Sequence, residues 1–179
     1  LDFSQVTTVN LDEYKGLSGS DRQSYRYFMN THLFHKININ YSNTYVPDGT
    51  EQDAEKACSA YNELLHKVGP ADIQILGLGH DGHIGFNEPL SSLNSRTRAK
   101  ALTPETYEQN APLFDKPEDM PMRAFTMGVG TIMDAKSVIL LVTGAEKAQI
   151  LKKAVEGPVT SMISATALQY HNKALVICD

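Results

Sequence analysis

Two apolar runs closed by glycine, DIQILGLG at 72–79 and SVILLVTG at 137–144, leave few folds open to this chain. Neither alternates apolar with polar residues, so both read as strands covered on both faces, the habit of a parallel sheet. Between them the sequence supplies helices. Ala54, Ala57, Cys58, Tyr61, Leu64, Leu65 and Val68 form a continuous apolar stripe closed by Gly69. AEKAQILKKAVEG follows the second run and is stopped by Gly157 and Pro158, and KALVICD reads as a last buried strand. Alternation of this kind predicts an α/β fold: a doubly wound, mainly parallel sheet with helices on both faces, in which ligands gather at the carboxyl ends of the strands.

Weaker signals fill the rest. Val6, Val9 and Leu11 suggest a short buried strand. Ser20 with Gln23 has the form of a capping box ahead of a helix carrying Tyr25, Phe28 or Met29, and Leu33. Thr50 with Asp53 resembles another, and TSMISATALQYH is a further helix candidate. NAPLFDKPEDMPM at 110–122, rich in proline and acid, reads as a mobile connection or lid. At 179 residues and 41% apolar content one domain over 1–179 is expected.

The net charge of −5 with scattered Lys and Arg argues against nucleic acid as a partner, and no run approaches the length of a membrane span. Cys58 and Cys178 lack partners at metal or redox spacing and read as buried free thiols. With no signal-peptide pattern, a cytoplasmic setting is expected. The chain opens LDFSQVTTVNL without Met and stops at Asp179 directly after a strand, so a fragment lacking both ends is expected.

The chemistry concentrates in ILGLGHDGHIGFNEP at 75–89. Gly77, Gly79 and Gly82 have the spacing of a dinucleotide fingerprint, but Asn87, Glu88 and Pro89 break any helix early, and the position for a ribose-binding acid falls in RTRAK. His80, Asp81, His83 and Glu88 include metal-ligand types without HExxH or a cysteine pair. A plain glycine-rich strand exit with solvated polar residues is the bland alternative. Against it stands the density of titratable groups where a parallel sheet puts its chemistry. A histidine between two carboxylates is held in one tautomer and suits general acid/base work. Asp12 and Glu13 end another strand, from which a carboxylate is expected to face the same cleft.

LDEY (11–14), GxxxxQSYxxFM (19–29), GHDGHIGFNEP (79–89) and SRTR (95–98) closely resemble the glucosamine-6-phosphate deaminase family, and the match continues through TMGVGTIMDA, LLVTGAEKA and EGPV. The resemblance implies a Rossmann-like deaminase/isomerase fold and a hydrolase of amino-sugar metabolism. The reaction would convert glucosamine 6-phosphate and water to fructose 6-phosphate and ammonium, with no metal and no organic cofactor. It implies Asp12 as the base moving a proton between C2 and C1, and Asp81, His83 and Glu88 as the ring-opening group. Lys147 would contact the substrate phosphate. SSLNSRTRAK (91–100) is similar to the allosteric, hexameric type, which implies an N-acetylglucosamine 6-phosphate activator site at Ser91, Arg98 and Lys100 and a homo-oligomer.

Two departures accompany the match. The family's phosphate loop would lie upstream of residue 1, and Pro112 stands where the family places a phosphate-binding arginine. Galactosamine-6-phosphate isomerases, 6-phosphogluconolactonases and the phosphosugar-sensing domains of transcription regulators have related folds. DEY together with HDGH and NEP favours the deaminase over the last two, while the preferred C4 epimer stays open.

Overall fold

The computed structural model describes residues 1–179. In chain order it contains β1 (Thr8–Val9), β2 (Asp12–Tyr14), α1 (Tyr25–His32), β3 (Thr44–Tyr45), α2 (Ala54–Val68), β4 (Gln74–Gly77) and β5 (Arg98–Ala101). Then follow α3 (Pro104–Asn110), β6 (Arg123–Thr126), α4 (Val129–Met133), β7 (Val138–Val142), α5 (Ala148–Glu156) and β8 (Ala174–Cys178). This is the mixed α/β class with parallel sheets that the glycine-terminated runs predict. The chain divides into two compact units, Leu1–Tyr61 with Arg98–Thr126 and Asn62–Thr97 with Met127–Asp179.

In the first unit β1 and β3 pair in parallel, and β2, β6 and β5 form an antiparallel sheet that the sequence did not announce. Its strands are three or four residues long and polar in part, and Asp12 and Arg98 both pair with Thr126, so no local period marks them. The expected strand from Val6 to Leu11 shrinks to Thr8–Val9. Phe125, Ala57 and Cys58 pack together, with Ala54 and Ala99 against them. Helix α1 starts later than the capping box at Ser20 suggests. Residues 21–24 are held in a turn by the Asp21 carbonyl and carboxylate, and Ser24 is the cap, its Oγ accepting from the Tyr27 amide at 3.0 Å. For α2 the capping side chain is Asp53, whose Oδ1 accepts from the Glu55 and Lys56 amides, while the Thr50 hydroxyl donates to Asp48. Segment 110–122 is built rather than loose: two 3-10 turns are anchored by buried Ala111, Phe114 and Met120, and Phe114 meets Tyr14 edge to face.

The second unit holds the parallel sheet β4-β7-β8, with Gln74 opposite Val138 and Val138 opposite Ala174. Leu76, Val138, Leu140 and Val142 on one face are buried. Within residues 1–179 Ile75, on the opposite face, is 58% exposed and every residue of β8 is exposed. An apolar run records that a strand can be covered; burial depends on whether another layer lies over it. Cys178 is accordingly exposed, whereas Cys58 is buried. TSMISATALQYH becomes a 3-10 helix over Ser164–Tyr170, and Gly157 ends α5 as expected.

Candidate active site

Strand β4 ends at Gly77, and the chain turns back on itself at once. The Gly79 amide donates to the His83 carbonyl at 2.9 Å and the Gly82 amide to the Gly79 carbonyl at 3.0 Å. Gly82 takes φ +86°, a conformation that L side chains rarely adopt. A Cβ there would also lie 2.5 Å from Ile163. Gly79 is needed for a different reason. The His83 ring lies across its Cα, and a Cβ would come within 2.4 to 2.5 Å of three ring atoms.

This turn brings Asp81, His83 and Glu88 together. His83 Nδ1 is 2.7 Å from Asp81 Oδ1 and 3.3 Å from Glu88 Oε2, and Asp81 Oδ1 also accepts from the His83 amide at 3.0 Å. Burial works against a charged His83, but the hydrogen bonds and charges of the two carboxylates outweigh it and raise the imidazole pKa to about 9. For Asp81 burial acts upward, and its bond to His83 prevails and holds the carboxyl below its usual range. Asn87, fully buried, donates from Nδ2 to the Ile84 and Met127 carbonyls and fixes the turn just before Glu88. The three groups also have metal-ligand chemistry and lie within 4.8 Å of one another. Both carboxylates, however, lie against the same Nδ1, Asp81 at hydrogen-bond distance and Glu88 farther off, at ion-pair distance. His80 is exposed and outside this cluster.

Lys147 closes the 3-10 turn Ala145–Lys147 that leads into α5. Its Nζ donates to the Leu78 carbonyl at 2.9 Å, directly past the end of β4. Burial lowers its pKa, offset in part by Glu146 and Asp81. The chain thus has a cation beside the loop that carries Asp81, His83 and Glu88.

In the first unit Asp12 begins β2, half-buried, where its charge bears on Tyr14, Tyr25 and Tyr61. Burial, and after it the Asp12 charge, push the Tyr25 and Tyr61 phenols up. Tyr14 and Tyr25 stack at 5.2 Å. The neighbouring Glu13 is buried and accepts from the Tyr14, Tyr25 and Arg26 amides, which clamps the start of α1 to β2. Arg98 and Lys100, two apart on β5, share a face of that strand, and burial lowers the pKa of Arg98. Ser91 belongs to the second unit, where its buried hydroxyl has no hydrogen-bond partner. Pro112 is exposed in the 3-10 turn Ala111–Leu113.

Sequence reasoning found the titratable residues and missed what holds them. Gly79 passed as part of a glycine pattern, and Glu13 as a second strand-end acid. The signal for Asn87 was present in NEP, but its partner Met127 lies 40 residues away.

The fold and this group define an α/β protein with a histidine set against two carboxylates at the carboxyl end of a parallel strand. A family model described as glucosamine-6-phosphate isomerases/6-phosphogluconolactonase matches residues 1–177, and the chain belongs to that family. Glucosamine-6-phosphate deaminase of Shewanella woodyi is 50% identical over 179 residues, which cover 100% of this chain and 68% of that protein. The deaminase of Clostridium perfringens is 49% identical over 100% of this chain and 74% of its own length. A solved monomeric glucosamine-6-phosphate deaminase superposes with a TM-score of 0.98 at 41% identity, covering 100% of this chain and 74% of that one. A 6-phosphogluconolactonase from Thermotoga maritima, at 18% identity and a TM-score of 0.76 over 99% of this chain and 74% of its own, shares the fold. The chain thus spans about two thirds to three quarters of the length of these relatives.

Proposed function

We propose that this protein is a cytoplasmic enzyme of amino-sugar catabolism that converts glucosamine 6-phosphate and water to fructose 6-phosphate and ammonium. The observation that carries the reading is His83 Nδ1 held between Asp81 and Glu88, which leaves Nε2 to exchange protons with a substrate. Raised to about 9, the imidazole is protonated at neutral pH. Nε2–H gives its proton to the ring oxygen of the cyclic sugar and takes back the proton of the anomeric hydroxyl, so that the hemiacetal opens to the aldehyde. Asp12 then removes the C2 proton and delivers it to C1, while a proton passes from the amine to O1, so that C1 becomes CH2OH. The resulting imine at C2 is hydrolysed to the ketone with release of ammonium. Every step is a proton transfer or a hydrolysis, so side chains suffice. Lys147 is the cation for the substrate phosphate.

The test is ammonium release by the full-length protein given glucosamine 6-phosphate, galactosamine 6-phosphate or 6-phosphogluconolactone. Ammonium and fructose 6-phosphate from the first support the reading. A preference for the galacto epimer, or lactone hydrolysis alone, sinks it.

The second part of the proposal is regulatory. Ser91, Arg98 and Lys100 bind N-acetylglucosamine 6-phosphate in a homo-oligomer, a reading favoured by the partnerless buried Ser91 hydroxyl and the paired cations on β5. Sigmoidal kinetics made hyperbolic by the activator are expected, with a coupling of about 1 to 3 kcal/mol. A monomer with hyperbolic kinetics unmoved by the activator refutes this part alone.

A further inference from the structure

We propose that Ser164 is a positioning residue for the His83–Glu88 couple, acting through the turn that joins the two. The inference rests on the ring-opening role given to His83 above. Ser164 is 1% exposed, at the start of the 3-10 helix Ser164–Tyr170. Its hydroxyl donates to the Asn87 carbonyl at 2.8 Å and accepts from the Ile84 amide at 3.2 Å. The Ile84 amide belongs to the peptide unit that follows His83. The Asn87 carbonyl belongs to the peptide unit that precedes Glu88. One hydroxyl, about 80 residues away in the chain, therefore spans the two peptide units from which the His83 and Glu88 side chains hang.

The surrounding contacts make this grip stiff. The Ala165 amide donates to the Gly82 carbonyl at 3.0 Å and the Leu90 amide to the Ser161 carbonyl at 2.9 Å, so segment 161–165 holds the loop on both sides of the Ser164 bonds. Ile163 fills the place that a Gly82 side chain would take. Thr166, with no exposed surface, braces the segment by accepting from the Thr160 amide at 2.9 Å and donating to a carbonyl of the same turn. Without the Ser164 hydroxyl, the Ile84 amide and the Asn87 carbonyl lose a shared buried partner and the turn widens. The contact that opens is the longer of the two at Nδ1, the 3.3 Å approach of Glu88. The charged groups bearing on the ring are Asp81 and Glu88, with Lys147 acting on Asp81.

The experiment follows the His83 imidazole by NMR titration in the full chain and measures turnover beside it. In Ser164→Ala the imidazole is expected to titrate about one pH unit lower, because a carboxylate at ion-pair distance has moved away. Ser164→Thr keeps the hydroxyl and restores the original titration. The kcat on cyclic glucosamine 6-phosphate is expected to fall by roughly ten- to a hundredfold in the alanine variant, with an open-chain analogue much less affected. If Ser164→Ala does not fold, Ser164→Cys, with its weaker thiol donor, shows the same displacement to a smaller degree. An unchanged His83 titration in a folded alanine or cysteine variant, or a threonine variant as displaced as alanine, overturns the inference. A Ser164-dependent titration in a protein that releases no ammonium refutes the enzymatic reading and leaves the positioning role standing.

Discussion

Replacing Gly79 by alanine drives a methyl group into the His83 ring, and the consequence can be followed as a function of pH. The added Cβ would stand 2.4 Å from Cε1, where ordinary contact begins near 3.4 Å, so the ring must retreat by about 1 Å. The backbone offers little relief, because the Gly79 amide is tied to the His83 carbonyl at 2.9 Å. A retreat of that size takes the 2.7 Å contact with Asp81 out of good hydrogen-bonding range. In the intact site the carboxylates overcome burial and raise His83 from 6.5 to about 9. At 1.36 kcal/mol per pH unit this is about 3 kcal/mol of pH-linked stability. The lowered Asp81 is the same interaction seen from its other partner and is counted once. Because the histidine is raised in the folded state, the stabilisation is fully present below about pH 6.5 and is lost as pH rises through about 9. Urea unfolding of the full chain at pH 6 and pH 10 measures the effect. Gly79→Ala should be more destabilising at pH 6 than at pH 10 by about 2 to 3 kcal/mol, the steric strain being common to both conditions. Equal destabilisation at the two values would show that the ring keeps its partners, and would refute the reasoning.

Asp12→Asn should abolish turnover and stop solvent exchange of the C2 proton while sugar-phosphate binding persists, since the amide keeps the shape and loses the base; near-normal exchange would remove Asp12 from that role. Lys147→Met should raise the substrate concentration for half-maximal rate, by roughly tenfold for a lost charge-assisted contact worth about 1.5 kcal/mol or more, and a change in kcat alone would count against a phosphate contact. Ser24→Ala removes the buried cap of α1 and should cost about 1 kcal/mol in urea unfolding, whereas Ser20→Ala, at the expected but unused cap, should cost little.

The longer helices and the parallel strands were legible in the sequence. β4, β7, α2 and α5 all fall within the apolar runs and stripes that predicted them, since period and terminating glycines are local properties of the chain. The clustering of titratable side chains was legible for a related reason: Asp81, His83 and Glu88 lie within eight residues, and a glycine turn that short leaves their side chains few places to go. The antiparallel sheet of β2, β6 and β5 was not legible. Asp12 finds Thr126 across more than a hundred residues, and three or four residues cannot display a period.

The sequence by itself determined the long periodic segments, β4, β7, α2 and α5, and which short loop carries the titratable groups. Only the tertiary structure decided which backbone groups hold the site in register. Ser164 meets Ile84 and Asn87, and Lys147 meets Leu78, across 69 to 80 residues of chain. The physical reason is range. Torsional preference and side-chain period act over a few residues, whereas burial, an ion pair and a missing Cβ are set by atoms that become neighbours only once the chain has folded.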